Sequence, residues 1–373
     1  MAHLTTHTDS DQNAEFAEFV RRGVTQVRDV GGPVDVLSRL HNRIAAREIL
    51  GPELFFTGPM LERSPLTYAG INEALPGFTV AIDSPQDIDH LLPDLARQGA
   101  CMIKLFNKID PKLFEHVVAV ARQNSLRIVF DPGMPLFHST PIDQALALGV
   151  TSIEHAKAPW PVVLTDELQE EHDRLRGEKD NEMAHRMFMM RVAGLGVESV
   201  SMEKLNCLAD TMIQKDACLC PTLRVLDSME KMAVAQIKET QHIEEIPDFM
   251  LNAIRKNVAG MEAVSRLVVR TFAQHGVKML VGQDGIDPTG VFEEMRWMKQ
   301  CGVSDLEILR GATIYPARWL GVDDRLGSIT LGREANLLIV DGNPLEDIAN
   351  LEDAGLVVHH GRVVSPGEVV RKP

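Results

Sequence analysis

Hydrophobic positions along this chain fall into short runs of four to seven residues, separated by longer amphipathic stretches. Val24 to Val30 is β-rich and stops at Gly31-Gly32, and Asp35 to Ile49 reads as a helix that ends before Gly51. Glu53 to Thr57 is a short strand closed by Gly58-Pro59. Ser84-Pro85 opens a helix, with Ser as cap, Pro in the first turn and Asp87 complementing the dipole. Cys101 to Phe106 is the next strand, and Asp110-Pro111 repeats the helix-start chemistry. Arg127 to Phe130 and Thr151 to Glu154 are strands on either side of a helix opened by Thr140-Pro141. A charged helical segment from Asp166 to Arg191 lies outside the rhythm. The alternation then resumes with a helix over Met202 to Lys215, a strand over Ala217 to Cys220, a long helix from Ile246 to His275, and a strand over Lys278 to Val281. Strands alternating with helices imply parallel β-α-β units. Seven strands can be counted, one short of a (β/α)8 barrel, and the missing first strand is expected at or before Met1.

After Leu320 the texture changes to short strands between Gly, Pro and Asn turns: Gly327 to Thr330, Ala335 to Val340, Gly355 to Val358 and Arg362 to Val364. The expected fold class is therefore α/β: a TIM-like barrel over residues 1–320 with its first strand truncated, and a partial β-sandwich over residues 321–373. Such a truncation would leave sheet edges unpaired and apolar residues Leu337, Ile339, Val357 and Val358 exposed, which favours self-association as a homo-oligomer and lowers stability.

Candidate chemistry sits where the strands end. In a parallel barrel the carboxyl ends of all strands open onto one face, and that face carries the chemistry. Lys104, Asp131, His155 and Asp284 each follow an apolar run. Burial of Lys104 would push its pKa down, and a neutral amine can take up carbon dioxide to give a carbamate able to bridge two metal ions; the alternative is an ion pair with a carboxylate. His155 is a neutral imidazole ligand candidate or a hydrogen-bonded histidine. Asp284 could bind a metal and take a proton from its bound water, or it could serve the turn at Asp284-Gly285. Asp131 precedes Pro132-Gly133, which suits a type II turn and still permits an oxygen ligand facing the site. His138, in the loop after the same strand, and Arg224, after the strand ending at Cys220, are candidate substrate contacts. Cys218 and Cys220 alternate onto one face and read as buried thiols, whereas His185, His242 and His275 read as surface residues of helices.

Composition narrows the function classes. The chain has 373 residues, 45% of them hydrophobic, enough for a large core. Its formal charge of −15 argues against a nucleic-acid partner and against an anionic membrane surface. No apolar run reaches the length of a membrane span. Five cysteines without paired spacing suit a reducing, cytoplasmic compartment, and the first residues lack the features of a signal peptide.

Several segments together resemble the amidohydrolase superfamily, in its imidazolonepropionase-like and prolidase-like branch. Gly23-Val24-Thr25-Gln26-Val27-Arg28-Asp29-Val30-Gly31-Gly32 is similar to its second barrel strand, and Met102-Ile103-Lys104 to the strand with the carboxylated lysine. Leu148 to Ala156 resembles the sixth strand, and Gly282-Gln283-Asp284 the eighth, where the family has Gly-Thr-Asp. Ala312-Thr313-Ile314-Tyr315-Pro316-Ala317-Arg318, Leu326-Gly327-Ser328-Ile329 and Gly332 to Asp341 complete the likeness. The resemblance implies metal-assisted hydrolysis of an amide-like or cyclic C–N bond of a small molecule. One or two divalent ions, zinc foremost, would be held by His3, Lys104 as carbamate, Asp131, His155 and Asp284, with Asp284 as the proton acceptor. Two departures stand out. Met1-Ala2-His3 aligns with the end of the family's His-x-His, so that Met1 stands where the first histidine should be. Asp131 stands where the fifth strand presents a histidine. These departures support a rival reading, an impaired relative that keeps the scaffold for small-molecule binding.

Overall fold

The structure, a computed structural model, describes residues 9–106, 108–133, 139–177, 182–241 and 243–364. Twelve strands are found among these residues: β1 Gln26–Asp29, β2 Glu53–Phe56, β3 Met60–Glu62, β4 Thr79–Ala81, β5 Met102–Leu105, β6 Arg127–Phe130, β7 Ser152–Glu154, β8 Cys218–Cys220, β9 Lys278–Met279, β10 Leu337–Val340, β11 Ala354–His359 and β12 Arg362–Val364. Seven of them form a parallel sheet in the order β4-β3-β5-β6-β7-β8-β9, with helices between successive strands. β1 pairs in parallel with β2, and β3 continues β2 after the break at Thr57–Pro59. The amide of Cys101 donates to the carbonyl of Phe56 at 3.3 Å, which joins β2 to the start of β5. The molecule is a TIM-like barrel with a small antiparallel sheet, β10-β11-β12, appended near its C-terminal end.

The interior explains how the strands close on one another. Alternate residues point inward, so Val30, Met102, Val129, Cys218, Cys220 and Leu280 pack together with Trp319. Arg28 on β1 crosses the interior to β7, donating to Ser152 Oγ at 3.0 Å and Glu154 Oε1 at 2.8 Å. Trp319 closes the base: its ring lies 5.4 Å from the Arg28 guanidinium, and its Nε1 donates to Thr151 Oγ1 at 3.1 Å. Cys218 and Cys220 share this interior, where burial pushes both thiols up to about 12, so they are inert packing groups.

Local start signals work as the residue types demand. Ser84 accepts from the Asp87 amide, and Asp87 accepts from the Ser84 amide. Asp110 caps the helix Pro111–Gln123 by accepting from Leu113.

Several elements differ from expectation. The tail holds no strand over Gly327 to Thr330. The charged segment after Asp166 is a hairpin of two helices, Asp166–Gly177 and Glu182–Leu195, the second packed on the long helix Asp248–His275. Gly260 makes that packing possible, since a side chain there would meet the Ala193 carbonyl at 1.9 Å. His185 is fully buried in the hairpin, its ring 5.2 Å from that of His172, rather than at the surface. The small sheet is not bare. The helix Asp9–Arg21 lies against β11, burying Phe16, Phe19 and Val20, and Val357 is fully buried. Ile339 is exposed as expected, whereas Leu337 and Val358 are half-buried. No helix among the described residues is long and apolar enough to cross a membrane.

Candidate active site

Because the barrel strands are parallel, the residues that follow β5, β6, β7, β8 and β9 emerge at one end. Three of the sequence candidates meet there. Lys104 is fully buried on β5, and its Nζ lies 3.2 Å from Asp131 Oδ2. The same oxygen lies 3.0 Å from His155 Nε2. The second oxygen of Asp131 accepts the Gly133 amide at 2.8 Å, and Gly133 has φ +62°, in the left-handed region. Asp131 therefore serves the turn and faces the site at once.

His155 reaches Asp131 through an unusual backbone. Its φ is +68°, and Thr222 beyond β8 has φ +49°, both in the left-handed region that costs a side-chain-bearing residue about 1 kcal/mol or more. The two are linked by a 2.6 Å contact between His155 Nδ1 and Thr222 Oγ1. When His155 is neutral and Nε2 donates to Asp131, the Thr222 hydroxyl donates to Nδ1.

Charges converge as the side chains do. Burial alone would raise the Asp131 carboxyl, but His155 and Lys104 hold it well below the usual carboxylate range. Burial alone would lower Lys104, as the sequence suggests. The carboxylates of Asp131, Asp284 and Glu154 outweigh it, so the amine is held above its ordinary value as an ammonium. Asp284 lies close enough for its charge to act on Lys104 and on the Tyr68 hydroxyl. Below Lys104, Glu154 is fully buried, and the burial that would raise it is outweighed by Arg28 together with Lys104 and His155. Its second oxygen, Oε2, has no hydrogen-bond partner among the described residues.

The remaining candidates behave differently. Arg224 is committed to protein partners: it pairs with Asp287 at 2.8 Å and with Glu293, and lies 3.3 Å from Gln283 Oε1. Its backbone is fixed by Glu294, which accepts from the Leu223 and Arg224 amides at 2.9 and 2.8 Å. Gln283, where the resembled family has threonine, also donates to the Asp287 carbonyl and so braces the loop after Asp284. His3 and His138 lie outside the described residues, as does His242. His275 is half-buried, with Asp210 at 3.0 Å.

Sequence reading missed Tyr68, Thr222, Arg28 and Glu154 as parts of the site. Tyr68 stacks on Phe106 at 5.6 Å between ring centroids, and Lys104 Nζ lies 5.6 Å from that Phe106 ring. Tyr68 is 39% exposed and forms an aromatic edge of the site. It stands in a loop segment with no strand to announce it. Arg28 carried a signal, a charged residue inside an apolar strand segment.

A divalent ion requires three or more donors on one point. Among the described residues no three His, Cys, Asp or Glu side chains gather in that way. Asp131 and His155 are engaged with each other and with Lys104, Gly133 and Thr222. Among the described residues the candidate donors do not compose a metal centre, and His3, the remaining candidate, lies outside them.

The fold and this site define a class: a TIM-like barrel with a polar cluster at the carboxyl ends of its strands and a small sheet appended. The amidohydrolase family model matches residues 197–364, from before β8 to β12. Among solved structures, a prolidase complexed with N-methylphosphonate-L-proline is 19% identical, with 98% of this chain and 84% of that one covered and a TM-score of 0.69. A. niger ochratoxinase is 15% identical, covering 98% and 82%, at a TM-score of 0.68. An Xaa-Pro dipeptidase with bound methionine is 19% identical, covering 97% and 81%, at 0.65. At such identities the likeness establishes the shared fold across nearly the whole chain.

Proposed function

We propose that the protein is a hydrolase that opens an amide-like or cyclic C–N bond of a small molecule at the carboxyl end of the barrel. The observation that carries this reading is the meeting of Lys104, Asp131 and His155, from three successive strands, with Asp284 acting on the same ammonium. The family match and the hydrolytic names of the similar structures, a prolidase, a dipeptidase and an ochratoxinase, support it.

Asp284 is the proton acceptor for the attacking water and returns that proton to the leaving nitrogen. The Lys104 ammonium, desolvated within the barrel, supplies positive charge where the carbonyl oxygen becomes negative. Asp131 orients Lys104 and His155. Tyr68 and Phe106 offer an apolar wall to the substrate. No step is routed through the metal that the resemblance implies, since Asp131 and His155 are engaged with each other and with Lys104.

A second reading, small-molecule binding without turnover, is favoured by the saturation of Asp131: its Oδ2 meets Lys104 and His155, and its Oδ1 takes the Gly133 amide. The two are separated by incubating the full chain with Xaa-Pro dipeptides, N-acyl amino acids and aryl amides, following products by chromatography and binding by calorimetry. The hydrolase reading expects turnover of at least one amide class. Binding without product would establish the second reading.

A further inference from the structure

The resemblance places a metal-bridging carbamate at Lys104, yet Lys104 Nζ and His155 Nε2 converge on one oxygen of Asp131, at 3.2 and 3.0 Å. That oxygen belongs to the residue which replaces the family's fifth-strand histidine. An imidazole at this position would take away the carboxylate that stands 3.2 Å from the buried Lys104 ammonium. A carboxylate closes the charge locally, because Asp131 stands 3.2 Å from Lys104 Nζ, and Arg28 compensates Glu154 from below. His155 is closed on its other side by Thr222. Lys104, Asp131 and His155 are thus each turned toward an internal partner.

We propose that in this chain the Lys104–Asp131–His155 triad takes the place of the metal centre: Lys104 remains an uncarboxylated ammonium that is the resident cation of the site, and Asp131 is its fixed counter-ion. The proposal deepens the hydrolase reading and rests on the same cluster, but it is decided by binding and stability alone. Replacement of the histidine by Asp131 is then a compensated change, and the site keeps its architecture without a bound ion.

The test uses the full chain, freed of metal by a chelator and then offered zinc and carbon-13 bicarbonate. Zinc is counted by mass spectrometry of the metal, carbamate carbon is sought by NMR, and melting is followed with and without zinc. The triad predicts no carbamate resonance, zinc far below one ion per chain, and an unchanged melting temperature, since only a ligand that binds the folded state raises it. Asp131→His, which restores the imidazole and removes the counter-ion, should bind zinc at least about tenfold more tightly than the natural chain, within the range by which groups around a metal alter affinity. A double-mutant cycle adds a readout independent of metal. Lys104→Met and Asp131→Asn should each destabilise, while the pair together should recover part of the loss. One zinc per chain with a carbamate signal, or a cycle with no coupling, would overturn the triad. Loss of hydrolysis in the panel assay, with the triad results intact, would instead remove the hydrolase reading alone.

Discussion

Arg28 and Glu154 show what the barrel interior asks of single residues. Their side chains are 7% and 0% exposed and stand 2.8 Å apart, so removing one partner strands the other charge in a low-dielectric core. Arg28→Met is expected to lower stability by about 3–5 kcal/mol, read from denaturant midpoints. A loss below about 1 kcal/mol would mean that Glu154 finds another partner or takes up a proton. The convergence of Lys104, Asp131 and His155 could be read from the sequence because each follows an apolar run, and a parallel sheet brings such positions to one end. Tyr68 and Thr222 could not, because loop geometry places them, and a left-handed φ at a threonine leaves no trace in residue order. His185 was misread for a related reason. Its helix carries enough charge to look solvated, and the partner that buries it lies on the neighbouring helix of the hairpin.

Among the elements, the helix Gly290–Gln300 holds the loop after β8 through one side chain. Glu294 is fully buried, and burial pushes it up to about 7 from 4.5. A carboxyl whose folded value lies above its unfolded one stabilises the fold while it is protonated. That contribution is complete below about pH 4.5 and is lost as the pH rises through about 7. Between pH 5 and 8 the natural chain should therefore lose on the order of 1–3 kcal/mol through this residue. Glu294→Gln should flatten the profile in that window, as measured by denaturation at each pH. An unchanged slope would assign the titration to other groups. The alternation of strands and helices was legible because each parallel β-α-β unit needs a buried strand and an amphipathic helix. β3 and β4 were not, since each begins just past a dipeptide that reads as a turn, Gly58-Pro59 and Pro76-Gly77.

Over the whole molecule, the helix Asp9–Arg21 ties the small sheet to the barrel. Exposed apolar faces on that sheet were expected because the sequence shows no partner strands for it; the covering helix, with Phe16, Phe19 and Val20 buried, supplies a different cover. Phe16 is 1% exposed, and Phe16→Ala should cost about 3–5 kcal/mol and raise the binding of an apolar dye as the sheet is uncovered. Unaltered stability would show that the sheet stands without this helix.

The central claim, that the cluster at the barrel mouth performs hydrolysis with Asp284 as its proton acceptor, is tested most directly by the steady-state kinetics of Asp284→Asn on the best amide found in the panel. A general base contributes about 10²- to 10⁴-fold, so kcat should fall by that factor while KM stays within a few-fold and the circular dichroism spectrum is unchanged. A variant that turns over at the natural rate would contradict the assignment.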